Sequence, residues 1–251
     1  MTASVAVLVP VFRERLGKDE QILLRHLRTH LGAYDAYSAQ PKRLEVDVPG
    51  LTPMRLDDRY FRTHRDYSRL LLGDELYRRF ERYEFVLVHQ LDCLVLSDDL
   101  ARWCAEGWDY VGAPWVREAS DGRLSFAGVG NGGLSLRRVE SFLRVLEARR
   151  PRARAAVGAR HAGELARRIV REPGRAKQLL RDRYVYEDKF WSDEAPRLAP
   201  GFRIPPAEVA VGFAFEREPR FCLAANGGRL PFGCHKWRAH DPEFWEPHLL
   251  R

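Results

Sequence analysis

Cysteine is scarce in this chain. Its four residues (Cys93, Cys104, Cys222, Cys234) form neither a CxxC pair nor a zinc-spaced set. That excludes a disulfide-stapled scaffold and leaves reduced thiols, as in a cytoplasmic protein, as the expectation. Long apolar runs are missing too. The stretch Val5 to Val9 stops at Pro10, far short of the roughly 20 residues of a membrane span. With no basic region before it, it lacks a signal peptide's layout and reads as a buried first strand. There are no internal repeats and no linker long enough to separate domains, so residues 1–251 are expected to form a single one.

Apolar residues make up 45% of the chain, with six Trp and thirteen Phe, enough for a sizeable core. The net charge of +7 is unevenly spread. Residues 149–183 hold twelve Lys or Arg against three acids, a net +9, which leaves the rest of the chain at −2. This segment reads as an Arg-rich helical insertion, either simply solvated or available for peripheral contact with an anionic membrane surface. Nucleic acid is not expected as a partner, because no aromatics interleave the basic residues to stack on bases.

Strand-like and helix-like stretches alternate, which predicts an α/β fold with a mostly parallel central sheet flanked by helices. Strands are expected at 4–11, 44–48, 85–92, 108–112 and 209–215, and helices at 19–31, 66–80, 97–107, 138–149 and 160–183. The run Phe85-Val86-Leu87-Val88 is apolar throughout, the mark of a strand covered on both faces.

Four elements carry chemistry. Gln90 and Asp92 are expected at the carboxyl end of the most buried strand, on one side of it by alternation, and open α/β sheets bind ligands beyond the carboxyl ends of their strands. A carboxylate there is explained by a divalent cation, Mn²⁺ or Mg²⁺, which takes oxygen ligands plus substrate phosphates; a turn aspartate would satisfy the same pattern. Gly128 to Gly133 holds four glycines in six positions, suited to a tight turn or to backbone approaching a ligand. It is neither a P-loop nor a Rossmann fingerprint, for want of a long preceding strand and a following Lys-Ser/Thr. Glu187 and Asp188 open an aromatic helix; they complement the helix dipole, or Asp188 accepts a proton from an attacking hydroxyl. His235 and Lys236, in Leu230 to Trp237, offer a late metal ligand and a cation beside a leaving phosphate, or a structural histidine.

In this order the four elements resemble GT-A glycosyltransferases, with their DxD motif, glycine-rich loop, xED motif and C-terminal histidine. The segments YEFVLVHQLDCLVL, WDYVGAPW, VGNGGLSLR, YEDKFW and LPFGCHKW resemble more closely a GT-A-like bacterial and fungal family with QxD in place of DxD. The resemblance implies a Rossmann-like GT-A domain that moves a sugar from a nucleotide-diphosphate donor to an acceptor hydroxyl on a glycan, a lipid-linked or a small molecule. By position, Asp92 and His235 would hold the metal and Asp188 would be the base of an inverting attack. Gln90, Gly130, Asn131, Gly132, Gly133, Glu187, Trp115 and Lys236 would line the donor and acceptor cleft. Pro10, Val11 and Tyr67 would lie where the nucleotide base is held. Trp115 and Trp191 offer flat faces to a sugar. Two other readings fit less well. A nucleotidyltransferase should carry glycines after its first strand, and Val9 to Arg15 has none. A non-catalytic nucleotide-sugar or carbohydrate-binding protein would have no use for an acidic base.

Overall fold

The computed structural model describes residues 4–149 and 186–250. The Arg-rich helical insertion and its membrane contact lie, Arg149 apart, outside the described residues. A mixed sheet of six strands forms the centre. Its members are β1 (Val5–Pro10), β2 (Asp35–Pro41), β3 (Thr52–Leu56), β4 (Phe85–His89), β6 (Tyr110–Val111) and β9 (Leu134–Arg138), and they lie in the order β3-β2-β1-β4-β9-β6. The pairs β1–β2, β2–β3 and β1–β4 are parallel, and β9 runs antiparallel to both its neighbours. Five strands therefore point the same way, as the α/β reading expects.

Helices cover both faces, and the alternation along β1 and β4 assigns each residue to one of them. Val5, Val7, Val9, Phe85 and Leu87 pack with Leu24, Leu27 and Leu31 of α1 (Lys18–Leu31). Ala6, Leu8, Val86 and Val88 pack with α2 (His64–Leu71) and α3 (Asp74–Arg78). Further along the chain, α4 (Leu100–Ala105) joins the first face through Leu100 and Trp103, and α5 (Val139–Ala148) joins the second through Phe142 and Val145. Burying a Val or Leu side chain on either face contributes roughly 1.5–3 kcal/mol. That is why these strands need no polar face.

A small sheet sits beside the main one and is built from β5 (Cys93–Val95), β10 (Ala214–Phe215) and β11 (Gly233–His235), with β11 in the middle. A hairpin of β7 (Pro114–Glu118) and β8 (Leu124–Val129) leads into the glycine loop. Among the described residues no helix is long and apolar enough to cross a membrane.

Several local expectations are corrected. Residues 44–48 form no strand; Leu44 and Val48 are buried loop anchors between β2 and β3. Strand β2 escaped notice because its core positions Ser38 and Gln40 are polar. Only the Gln40 amide nitrogen is partnered, Nε2 donating to Ser38 Oγ at 2.8 Å and to Val46 O at 2.8 Å, while Gln40 Oε1 is buried without a hydrogen-bond partner. The helix expected over 66–80 is broken at Gly73, whose extended backbone (φ −103°, ψ 140°) starts α3 afresh. Residues 209–215 are mostly helix: Pro206 stands at the N-cap of Ala207–Phe213, and only Ala214 and Phe215 pair as strand. The apolar content there reflects burial, which helix and strand share.

Candidate functional site

The turn after β4 begins the site. Strand β4 ends at His89, and Gln90 to Asp92 form a turn closed by Cys93 N–H donating to Gln90 O at 3.1 Å. Residues 90 and 92 thus share a turn, not one side of a strand. Gln90 N–H also donates to Gly133 O at 2.8 Å, extending the His89–Leu134 register and laying the glycine loop against the turn.

Strand β11 brings in the late histidine. It pairs antiparallel with β5, His235 opposite Cys93, and Lys236 N–H donates to Asp92 O at 2.9 Å. Lys236 takes a left-handed backbone (φ 54°), which turns the chain there. His235 Nε2 lies 3.3 Å from Asp92 Oδ1, and His235 Nδ1 lies 3.1 Å from Glu216 Oε1. Both contacts have the length of a hydrogen bond but not its angle, so Asp92 Oδ1 and both ring nitrogens are buried without a hydrogen-bond partner. Lys236 Nζ pairs with the same Glu216 Oε1 at 2.8 Å.

Three glycines of the loop each abut a different motif. A Cβ on Gly133 would overlap His235 Nε2, and one on Gly132 would lie 2.6 Å from Glu187 Oε1. One on Gly130 would lie 2.5 Å from Ser192 Oγ and 2.9 Å from Trp115 Cζ2. Close approach, more than turn geometry, explains these residues. Asn131 holds the loop's shape: its Oδ1 accepts from the amides of Gly133 (2.7 Å) and Leu134 (2.9 Å), while Nδ2 donates to Glu216 Oε2 at 3.0 Å. The loop does follow a strand, the six-residue β8, contrary to the expectation from its sequence.

The acidic pair opens a helix at Glu187–Lys189 that continues through a π-helical turn, Phe190–Glu194. Pro196 follows, and its missing N–H frees a carbonyl in the turn before it. The turn sets Ser192 to donate to Val129 O at the loop's edge. Glu187 points inward to a buried ion pair with Arg137, Nη2 to Oε1 at 3.0 Å. Arg137 also donates to Tyr77 Oη (2.9 Å) and Ser135 Oγ (3.0 Å). The second oxygen, Glu187 Oε2, has no partner.

Charge and burial set the ionisation states. Burial raises the Asp188 carboxyl above the usual range and Glu216 adds to this, against the Lys189 amide at 2.9 Å. Burial would also raise Asp92, but His235 outweighs it and holds the carboxyl low. Burial works the same way on Glu216, where His235 and Lys236 prevail and take it down to about 2. Burial alone would lower His235, yet Asp92 and Glu216 keep it above its ordinary value. Lys236 feels Glu216, Asp92 and Asp188 together, so the three carboxylates share one charged neighbourhood. Asp92, Asp188 and Glu216 around the Lys236 ammonium leave an excess of negative charge in this cluster.

That excess suits a divalent cation. An Asp92 carboxylate oxygen, Cys93 Sγ and a His235 nitrogen lie within 4.8 Å of one another. Two ligands each about 2.0–2.2 Å from one ion stand roughly 3.0–3.5 Å apart, which the Asp92–His235 separation of 3.3 Å matches. Cys93 is fully buried, and burial pushes its thiol well up, so it fits core packing better than a hard cation. Asp92 and His235 therefore suit the ion the sequence implies.

The remaining expected residues divide. Trp115 is half-buried and donates from Nε1 to Gly130 O at 2.7 Å, bracing the loop. Trp191 is fully buried and stacked on Phe142 at 3.8 Å, so it has no face for a sugar. Gln90 reaches Gly132 O only at 3.5 Å and lies beside the Tyr67 hydroxyl. Pro10 ends β1, and Val11 is buried in the core with its N–H on Ala39 O at 2.8 Å. Near them an exposed aromatic side chain is Phe12, edge-on to Phe61 and Tyr67 at 5.7 Å each. Glu216 and Phe12 were missed in the sequence. Both follow the carboxyl end of a strand, the signal that found Asp92.

No curated protein sequence matches the chain. Among solved structures it is similar to a glycosyltransferase involved in glycosylating the major capsid of PBCV-1, at 12% identity over 98% of each chain and a TM-score of 0.48. A family model described as a protein of unknown function, DUF5672, matches residues 50–235, from just before β3 through His235, and so includes Gln90, Asp92, the glycine loop, Glu187, Asp188, Glu216 and His235. The chain belongs to the DUF5672 family.

Proposed function

We propose that the chain is a GT-A-type glycosyltransferase that moves a sugar from a nucleotide-diphosphate donor to an acceptor hydroxyl, with Mn²⁺ or Mg²⁺ at Asp92 and His235. One observation carries the reading. Two unpartnered ligand atoms, Asp92 Oδ1 and His235 Nε2, stand 3.3 Å apart inside a cluster of excess negative charge that also includes Asp188. The order of the sequence motifs supports it independently.

The cation would supply charge neutralisation for the departing diphosphate. Lys236, close to Asp92 and Asp188, adds a second positive charge on that side. Asp188 accepts the acceptor's hydroxyl proton as the new oxygen–carbon bond forms at the anomeric centre. The bond to the diphosphate oxygen breaks and its electron pair leaves with the nucleoside diphosphate. Burial suits Asp188 to this role, because a carboxylate raised above its usual range is the stronger base. Attack opposite the diphosphate inverts the centre. The glycine loop lets donor and acceptor approach the backbone, with Gln90 and Glu187 at its edge.

The reading is tested by calorimetry of wild type and the Asp92→Ala variant with nucleoside diphosphates, with and without Mn²⁺, followed by a donor-hydrolysis assay. Nucleotide binding that ignores both Mn²⁺ and Asp92 would end it.

A further inference from the structure

We propose that Glu216 is the positioning residue of this site: it orients His235 toward the cation, holds Lys236 and locks both to the glycine loop. The inference rests on the cation reading of Asp92 and His235 given above. Glu216 follows β10 directly, and its side chain is 18% exposed. Its Oε1 lies 3.1 Å from His235 Nδ1 and 2.8 Å from Lys236 Nζ. Its Oε2 accepts from Asn131 Nδ2 at 3.0 Å. Asn131 accepts from two loop amides on its other end, so the carboxylate fixes which way that side chain faces. One carboxyl group thus touches the histidine, the lysine and the loop against which the imidazole rests.

An imidazole that donates its Nδ1 proton to a carboxylate presents a lone pair at Nε2. Here Nδ1 faces Glu216 and Nε2 faces Asp92, the arrangement a His–cation bond requires. The same Glu216 oxygen offsets the Lys236 ammonium, which would otherwise repel a cation near Asp92. Its contacts with His235, Lys236 and Asn131 are those through which it acts.

The test is calorimetric titration with Mn²⁺ alone on the full chain, as wild type, Glu216→Ala, Glu216→Gln and Asp92→Ala, with thermal unfolding of each in chelator. Loss of a group that orients a metal-binding histidine typically weakens affinity about 10–100-fold, and that is expected of Glu216→Ala. Glu216→Gln keeps an acceptor oxygen for the Nδ1 proton and is expected to bind Mn²⁺ more tightly than Glu216→Ala. A merely structural role would lower the unfolding temperature and leave the affinity of the folded protein unchanged. Wild-type affinity in Glu216→Ala, with none in Asp92→Ala, overturns this inference alone. Equal weakening in the Gln and Ala variants also overturns it. Mn²⁺ bound by Asp92→Ala as tightly as by wild type overturns the cation reading itself. Should Glu216→Ala fail to fold, Glu216→Asp, whose shorter carboxylate retracts from the ring, takes its place, and wild-type affinity there overturns the inference.

Discussion

Asp92 Oδ1 and His235 Nε2 face each other at 3.3 Å with no aligned hydrogen bond, although 143 residues of sequence separate them. The β5–β11 pairing holds them together, Cys93 opposite His235. Two buried polar atoms left in this state are costly unless a third group completes them.

Mn²⁺ with a nucleoside diphosphate should therefore stabilise the wild type. At about one hundred times the dissociation constant the gain is roughly 2.7 kcal/mol, or about 5–10 °C in a thermal-shift measurement. Chelator or Asp92→Ala should abolish the shift. An unchanged shift in Asp92→Ala would move the cation elsewhere.

Asp188→Asn should keep nucleotide binding and lower turnover by roughly 10²–10⁴-fold. Because Asp188 must be ionised to take a proton, wild-type turnover should fall as pH drops through its raised value, which lies above the ordinary aspartate range. A rate profile flat down to that ordinary range would contradict the assignment.

Gly133→Ala should displace His235, since the added Cβ overlaps Nε2. The expected cost is about 1–3 kcal/mol of stability, together with loss of Mn²⁺ binding. Gly122→Ala, where nothing lies within 4 Å of the new methyl but the backbone is left-handed (φ 79°), should cost stability through backbone strain and yet leave Mn²⁺ binding intact. Denaturant melts and Mn²⁺ titration of the pair decide this.

The Arg137–Glu187 pair is buried on both sides, with side-chain exposures of 0% and 4%. Arg137→Met leaves the Glu187 carboxylate without its counter-ion and should destabilise by about 3–5 kcal/mol in urea unfolding. The double variant Arg137→Met/Glu187→Gln should recover some of that loss. A double variant no more stable than Arg137→Met would show that packing, not charge, matters there.

His89 is fully buried, and burial takes its pKa down to about 4 from an ordinary 6.5. On acidification the unfolded chain binds this proton first, so stability falls from pH 6.5 down to about pH 4 and then levels. The contribution of this residue is about 3 kcal/mol. His89→Phe should flatten that section of the stability curve, measured by denaturant midpoints across the range. A curve of unchanged slope would mean that other groups govern acid sensitivity.

The parallel core was legible because burial on two faces writes itself as unbroken apolar runs, as in Phe85 to Val88. Asp92, Asp188 and His235 stand out in the sequence as candidates beside strands and a helix start, and the chemistry proposed for them is what the variants above test. Strand β2 was not legible, since its buried positions Ser38 and Gln40 are polar and their hydrogen bond forms only once folded. Nor was the helix Ala207–Phe213, whose apolar residues suit either conformation.

What the chain alone determined is local: where apolar runs form strands, where glycines cluster, and which residues carry charge. Tertiary structure decided which charges meet. Only strand pairing sets His235 against Asp92, and only the small second sheet brings Glu216 to both His235 and Lys236. The reason is physical. Electrostatic coupling depends on separation in space and on burial, and neither is encoded by spacing along a chain.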